Sequence, residues 1–455
     1  MKPNFTLLQK ICLLTLLSVF QIAVYSQVTY TWNGGNGSWT TAANWTPNRG
    51  SPAANDVIQF NDGGTYTVSN VPAETIGQLL ITNNTDVTLD PGGFNTLSVN
   101  GPTLTNNIVV ASGSVLQFGS SSTLRIRILT TANQRVNVSG TVIVPRGYFD
   151  MDASGTNICT VTGTITVSGS GAAEGSTSCM VFSAGAVYNH DRNGGNIVDA
   201  TWNASSTCNV TGVTSSPANF EGGSPTFGNF VYDCPGQVAP DDGNLELSMT
   251  VNGDLSVLNG TLCDNDNQIT GNATGTLTVA NGAALQIGNS GTATTFPTNF
   301  TNANINLEAG STVIYGSSTT QTVSGTPDYS NLTISNNGNS TADGALTING
   351  NLLIEGGSLY DGGYQITGNA TGTLTITNGE RLYLGSGASA TTFPTNFTTA
   401  NISLASSAYV YYQATSDQTV AGSVAGVGPD EYPYLYINNA STKTLNADIT
   451  VTGRL

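Results

Sequence analysis

Gln268-Ile-Thr-Gly-Asn-Ala-Thr-Gly-Thr-Leu277 recurs unchanged as Gln365-Ile-Thr-Gly-Asn-Ala-Thr-Gly-Thr-Leu374, 97 residues further along the chain. Phe296-Pro-Thr-Asn-Phe300 returns at Phe393–Phe397 and Gln321-Thr-Val323 at Gln418–Val420, at the same offset of 97. Beyond that the offset becomes 103, with Leu332 matching Leu435 and Ile348 matching Val451, so six residues are inserted near Gly426-Val-Gly-Pro-Asp430. A more divergent copy lies upstream, where Thr162–Val167 matches Thr274–Val279 and Asn229–Tyr232 matches Asn331–Ile334. A chain built from duplicated units stacks them, each unit covering the apolar end of the last. The organisation that follows is a leader at 1–26, a Trp-containing N-terminal cap at 27–75 and first coils at 76–154. A divergent repeat spans 155–247, and clear repeats span 248–345 and 346–455.

Within each copy the hydrophobic period is two. Leu277, Val279, Leu285 and Ile287 alternate with Thr278, Ala280, Ala284 and Gln286, which turns apolar side chains to one side of a strand. Asn252-Gly253, Asn281-Gly282, Asn349-Gly350 and Gly356-Gly357 punctuate strands of only a few residues. Helix formers are scarce, and no amphipathic helical stretch follows the leader. The two clear repeats lack Trp, against an immunoglobulin-like sandwich, and a propeller blade needs a unit of about 40–50 residues. The pattern predicts an all-β chain folded as a right-handed parallel β-helix (a β-solenoid), with an array of β-sandwich domains as the alternative. At about 20–24 residues per coil this gives roughly 18–21 coils.

The leader carries Lys2 and Lys10 ahead of the apolar run Ile11–Val24, and Val24-Tyr25-Ser26 suits a signal peptidase, so the mature chain is expected to begin at Gln27 and to be exported. Of 455 residues only 9% are charged, and 11 basic groups face 28 acidic ones. Nucleic acid needs clustered Lys and Arg, and past the leader the only lysine is Lys443. Nucleic acid is excluded as a partner, and the mature chain has no second apolar run to insert in a membrane.

An oxidising destination makes the cysteines readable. Cys159 and Cys179 are 20 apart and Cys208 and Cys234 are 26 apart, each near one coil. Stacked coils lie about 4.8 Å apart, within the Cα separation of about 4.4–6.8 Å that a disulfide spans. Disulfides Cys159–Cys179 and Cys208–Cys234 are therefore expected, with Cys263 free, against the alternative of five buried thiols.

Trp32-Asn-Gly-Gly-Asn-Gly-Ser-Trp39-Thr-Thr-Ala-Ala-Asn-Trp45, with Pro52 and Asp56-Val-Ile58, resembles the start of many bacterial surface β-helix passengers. Gly253-Asp-Leu-Ser-Val-Leu-Asn-Gly260, Trp202-Asn-Ala-Ser-Ser-Thr-Cys208 and Phe227-Gly-Asn-Phe230 look like the large Gly/Asn/Thr-rich secreted proteins of Bacteroidota. The resemblance implies a cell-surface β-solenoid exported by the type IX route. Such proteins usually end in a sorting domain, which is not seen here.

Three groups of residues are candidates for chemistry. Trp32, Trp39 and Trp45 could stack on sugar rings, or could plug the open N-terminal end of the solenoid. Asp264-Asn-Asp266-Asn-Gln268 resembles part of a calcium loop, but Ile269 stands where that loop needs Gly. Its copy Asp361-Gly-Gly-Tyr-Gln365 reads as a corner turn. Asp150-Met-Asp152 and Asp241-Asp242 are similar carboxylate pairs, so no cofactor is expected beyond weakly held calcium. His190-Asp191-Arg192 is the only cluster suited to moving the proton of an acidic sugar; its alternative is a surface loop.

The reading that unites these features is an exported structural or adhesive rod without catalytic activity, meeting polysaccharide or other surface proteins. The alternatives are a polysaccharide-degrading β-helix enzyme and a carbohydrate-binding module. The third copy stops in mid-strand at Val451-Thr-Gly-Arg-Leu455, so further repeats or end-to-end association are expected.

Overall fold

In the computed structural model, residues 27–102, 106–128, 133–151 and 156–455 are described, and the expected leader at 1–26 lies outside them. The chain is all-β, with 47% strand and 3% helix, and its coils stack in parallel into a β-solenoid of about 17 turns. Nine-, fifteen- and twelve-stranded sheets run along the rod. An early coil shows the plan: Val57–Phe60, Thr65–Ser69 and Glu74–Ile76 form three short faces. Each strand pairs with the one a coil above, so backbone N–H and C=O groups are satisfied between coils rather than within them.

The period-two pattern becomes ladders of like residues inside the rod. One column runs Ile58, Leu79, Ile108, Val136, Cys159, Met180. Another runs Tyr188, Cys208, Phe230, Leu255, Leu277, Ile305. Burying a Leu, Ile or Val at each step contributes about 1.5–3 kcal/mol per side chain, which is how so weakly charged a chain holds together.

The turns number fewer than the roughly 18–21 expected at about 20–24 residues per coil. Long coils are the reason. Those between Leu79, Ile108 and Val136 take 29 and 28 residues, and the Phe-Pro-Thr-Asn-Phe loop swells the coil between Leu285 and its partner Val313 to 28, and that between Leu382 and Val410 equally. At about 4.8 Å per turn about 17 turns span roughly 80 Å. Small-angle scattering on residues 27–455 should give a largest dimension of at least that, where a compact chain of this length would give about 60 Å.

The disulfide expectation is corrected. All five described cysteines are free and buried. Cys159 stands in register with Met180, while Cys179, one residue earlier, lies in the preceding turn with its thiol accepting from the Ser176 N–H at 3.2 Å. Cys208 stacks on Phe230, leaving Cys234 four residues downstream, its thiol against the Val210 carbonyl at 3.3 Å. Burial pushes the Cys159 and Cys208 thiols well up, so they behave as small apolar fillers.

The duplicated units do not stack directly on one another. Leu277 belongs to the column Phe230, Leu255, Leu277, Ile305. Its copy Leu374 belongs to the column Leu262, Leu285, Val313, Leu332, Leu352, Leu374. Leu285 lies on the next face of the same coil as Leu277. Each 97-residue unit thus advances four turns and one face, and every feature of copy three sits one face further round the rod than its copy-two equivalent.

Candidate binding surface on the third copy

The residues singled out by sequence do not come together. Trp32, Trp39 and Trp45 are buried and pack edge to face, with centroids 4.8 Å apart for Trp32–Trp45 and 5.1 Å for Trp39–Trp45, over Phe60. Arg49 completes this cap from within, its Nε 2.9 Å from Asp56 and its Nη1 2.9 Å from Glu74. The indole N–H of Trp39 donates to the same Glu74 oxygen and that of Trp45 to the Trp39 carbonyl. With the rings closed over the first coil, no indole face is offered to a sugar.

His190 is neither catalytic in its surroundings nor on the surface. It points inward between Val167 and Val210, fully buried, with Nε2 2.9 Å from the Gly194 carbonyl. Burial holds its pKa down at about 4. Asp191 is exposed on the opposite side of the strand, and Arg192 donates to the Gly171 carbonyl, so the three groups share no groove. The alternation Tyr188, His190 inward against Asn189 outward was already present in the sequence and places His190 in the core.

Asp264 is buried as well. Its carboxylate accepts from Thr294 Oγ1 at 2.5 Å, Gly288 N–H at 2.6 Å and Asp266 N–H at 3.2 Å. Asp266 is a turn residue at φ +66° accepting from Asn289 N–H. Copy three repeats the anchor, with Asp361 accepting from Thr391 and Gly385. The amide of Gln321 braces the same loop by donating to the Ile287 and Thr294 carbonyls, as Gln418 does to those of Leu384 and Thr391. These carboxylates hold a loop in place and their lone pairs are committed to doing so. Among the described residues no group of three or more His, Cys, Asp and Glu is arranged to hold a metal ion. Asp150 ion-pairs with Arg125 at 3.1 Å, and Arg125 also reaches Glu174 at 3.3 Å; Asp152 lies outside the described residues.

What the structure does assemble is an outward array of tyrosines. Tyr360, Tyr383, Tyr411 and Tyr436 stand in register on four successive coils. Their rings stack at 4.1, 4.3 and 4.6 Å, tilted by only 2°, 12° and 17°. Two residues back along the same strands, Arg381, Tyr409 and Tyr434 form a second file. Tyr409 and Tyr434 stack at 4.8 Å, and the Arg381 guanidinium lies 5.2 Å from the Tyr409 ring centre. All six rings are half-buried, flanking the core residues Leu382, Val410 and Leu435 that point inward. Since each ring lies against the next, ring edges and hydroxyls face solvent. Burial, reinforced by the hydrogen bond with Tyr360, pushes the Tyr383 phenol up, so that ring stays uncharged.

The fold itself does not require these rings. At the equivalent positions copy two carries Cys263, Gln286, Ile314 and Thr333 in the first file, and Ala284, Thr312 and Asn331 in the second. Sequence analysis passed over the array because the tyrosines are spaced by 23, 28 and 25 residues, an irregular series until the coils are paired. Aligning the two copies and marking positions that turn aromatic in only one would have found it. Comparison with known protein families, curated proteins and solved structures returns no match. Among the described residues no helix is long and apolar enough to cross a membrane.

Proposed function

We propose that this chain is an exported, non-catalytic adhesive rod whose third copy binds a neutral polysaccharide along the tyrosine array. The observation that carries this reading is the two-file array of six outward tyrosines, stacked at coil spacing in a copy whose duplicate folds without them. Rings already held against one another lose little freedom on binding, and their edges and hydroxyls offer contacts that are amphipathic and uncharged. A polymer of neutral sugar rings laid along the rod axis meets the same groups at each coil, whereas charge stands in the second file only at its two ends, as Arg381 and Arg454. The leader-like segment at 1–26 and the low charge support display outside the cell.

The decisive test replaces the array with copy two's own residues, as Tyr383→Gln, Tyr409→Thr, Tyr411→Ile and Tyr436→Thr together. Binding of residues 27–455 to a panel of insoluble neutral polysaccharides, measured by depletion, should fall at least tenfold on this change, since aromatic anchors dominate such contacts. The thermal midpoint should stay close to that of the parent. Binding that survives the fourfold variant, or a parent that binds nothing on the panel, would refute the reading.

A further inference from the structure

Copies two and three build the same cleft, and only copy three lays a segment of its own chain across it. Thr295-Phe-Pro-Thr-Asn-Phe300 and Thr392-Phe-Pro-Thr-Asn-Phe397 are identical, and the Asp264 and Asp361 anchors fix both loops alike. In copy three the six inserted residues, Ser423–Gly428, form a minute hairpin. Val424 and Val427 exchange backbone hydrogen bonds of 2.9 and 3.0 Å around Ala425 and Gly426, both at positive φ (52° and 78°), as a type I′ turn requires.

This hairpin lies across the loop as an added strand. Thr399 N–H donates to the Gly426 carbonyl at 2.8 Å, Gly428 N–H donates to the Phe397 carbonyl at 3.3 Å, and Thr398 bridges Val427 antiparallel. Thr399 Oγ1 adds a bond to the Gly428 carbonyl at 2.7 Å. Phe393 and Phe397 are then 2% and 0% exposed.

Copy two has no insertion, and Gly325 runs straight on to Thr326. The groups equivalent to those that hold the hairpin, the Asn302 N–H and the Phe300 C=O, have no hydrogen-bond partner among the described residues. Phe296 and Phe300 are 6% and 7% exposed. The cleft beside them measures about 350 Å³, against about 200 Å³ in copy three, and is lined by Phe296, Pro297, Phe300, Ile305, Thr322 and Asp343 among others.

We propose that the open copy-two cleft is a docking site for an uncharged Val/Gly-rich peptide hairpin, which pairs with the backbone along Phe300–Asn302 as the insertion does in copy three. Strand addition draws its affinity from the main-chain hydrogen bonds and its selectivity from the side chains that enter the cleft. Val424 and Val427 provide the pattern: small branched apolar groups separated by a turn that only Gly-rich sequence tolerates. This site is on a different copy from the tyrosine array and stands whether or not that array binds polysaccharide.

The test uses a labelled synthetic peptide, Gly-Ser-Val-Ala-Gly-Val-Gly-Pro, in equilibrium dialysis against residues 27–455. One peptide should bind per chain. Deleting Ser423–Gly428 should open the second cleft and raise the stoichiometry to two. Placing Ser-Val-Ala-Gly-Val-Gly between Gly325 and Thr326 of the parent should fill the first and abolish binding. No binding by the parent, or unchanged binding after the transplant, overturns the proposal. If the deletion variant does not fold, the transplant alone decides. Equal binding of a peptide in which Asp replaces both valines would also overturn it, since the added carboxylates would lose the apolar contact with the phenylalanines and meet Asp343.

Discussion

Removing the buried carboxyls of copies two and three should make the stability of this protein rise steeply with pH, and removing His190 should make it fall. Burial holds His190 at about 4, against 6.5 for a free imidazole. Its folded pKa is depressed, so folding favours the neutral ring. That contribution is complete above about pH 6.5 and is lost as the pH falls towards 4. Asp264 moves the other way: burial lifts its carboxyl from 3.8 to about 7, and Asp361 is raised for the same reason. Their contribution is complete below about pH 3.8 and is lost as the pH rises through 7.

The His190 and Asp264 shifts each correspond to about 3–4 kcal/mol at about 1.4 kcal/mol per pKa unit. Over pH 4–6.5 the imidazole is opposed by the two carboxyls in the parent, which hides its slope. In Asp264→Asn/Asp361→Asn the imidazole acts alone, and stability measured by urea midpoint should climb by about 3 kcal/mol from pH 4 to 6.5. In His190→Gln, whose amide can still donate to the Gly194 carbonyl, it should drop by about 4 kcal/mol from pH 4 to 7. Reading each variant as its difference from the parent removes the titration of surface carboxylates. Parallel pH profiles for all three proteins would refute the assignment.

Asp56→Ala should open the N-terminal end of the rod. The Arg49 guanidinium is enclosed by Tyr30, Trp39 and Trp45, with ring centres 5.7–6.0 Å away. Asp56 neutralises it while also accepting the Ala53 N–H at 2.9 Å. Glu74 still neutralises Arg49 in the variant, but the Arg49 Nε–H and the Ala53 N–H lose their acceptor, at a cost of about 1–3 kcal/mol for each donor left unpaired. Contacts in a solenoid reach only to neighbouring coils, so the loss stays local. Hydrogen exchange should accelerate in Val57–Phe60 and Thr65–Ser69 and remain unchanged in the coils of copy three. Asp56→Asn, whose side-chain oxygen can still accept from Arg49 and Ala53, should keep much of the protection, because Glu74 continues to pair the guanidinium. Acceleration spread evenly over the whole chain would show that the cap is not an independent end piece.

The same locality explains which features could be read from the residues in order. Leu277 and Val279 alternating with Thr278 and Ala280 require one apolar side per strand, since successive side chains point to opposite faces. The scarcity of helix formers leaves sheet as the only way to satisfy the backbone. The cap reading of the three tryptophans follows from the need of any stacked fold to hide its first apolar layer. His190 was misplaced because composition around it, Asn189 and Gly194-Gly195, outweighed the period-two phase set by Tyr188. The cysteines were misplaced because a spacing close to one coil does not fix register to a single residue, and a disulfide requires that it be fixed.

Sequence by itself determined the all-β class, the duplication and the stacking of coils, because these depend on periodicity and composition that a linear chain carries openly. The tertiary structure alone decided what lies beside what. In the two clear copies coil lengths vary from 19 residues between Val313 and Leu332 to 28 between Leu285 and Val313, so equal positions in the two copies fall on different faces and no fixed offset lines up a column. Pairing of strands across coils, a matter of backbone hydrogen bonds rather than of side-chain identity, brings Tyr360, Tyr383, Tyr411 and Tyr436 into one stack and sends the duplicated cleft one face round the rod.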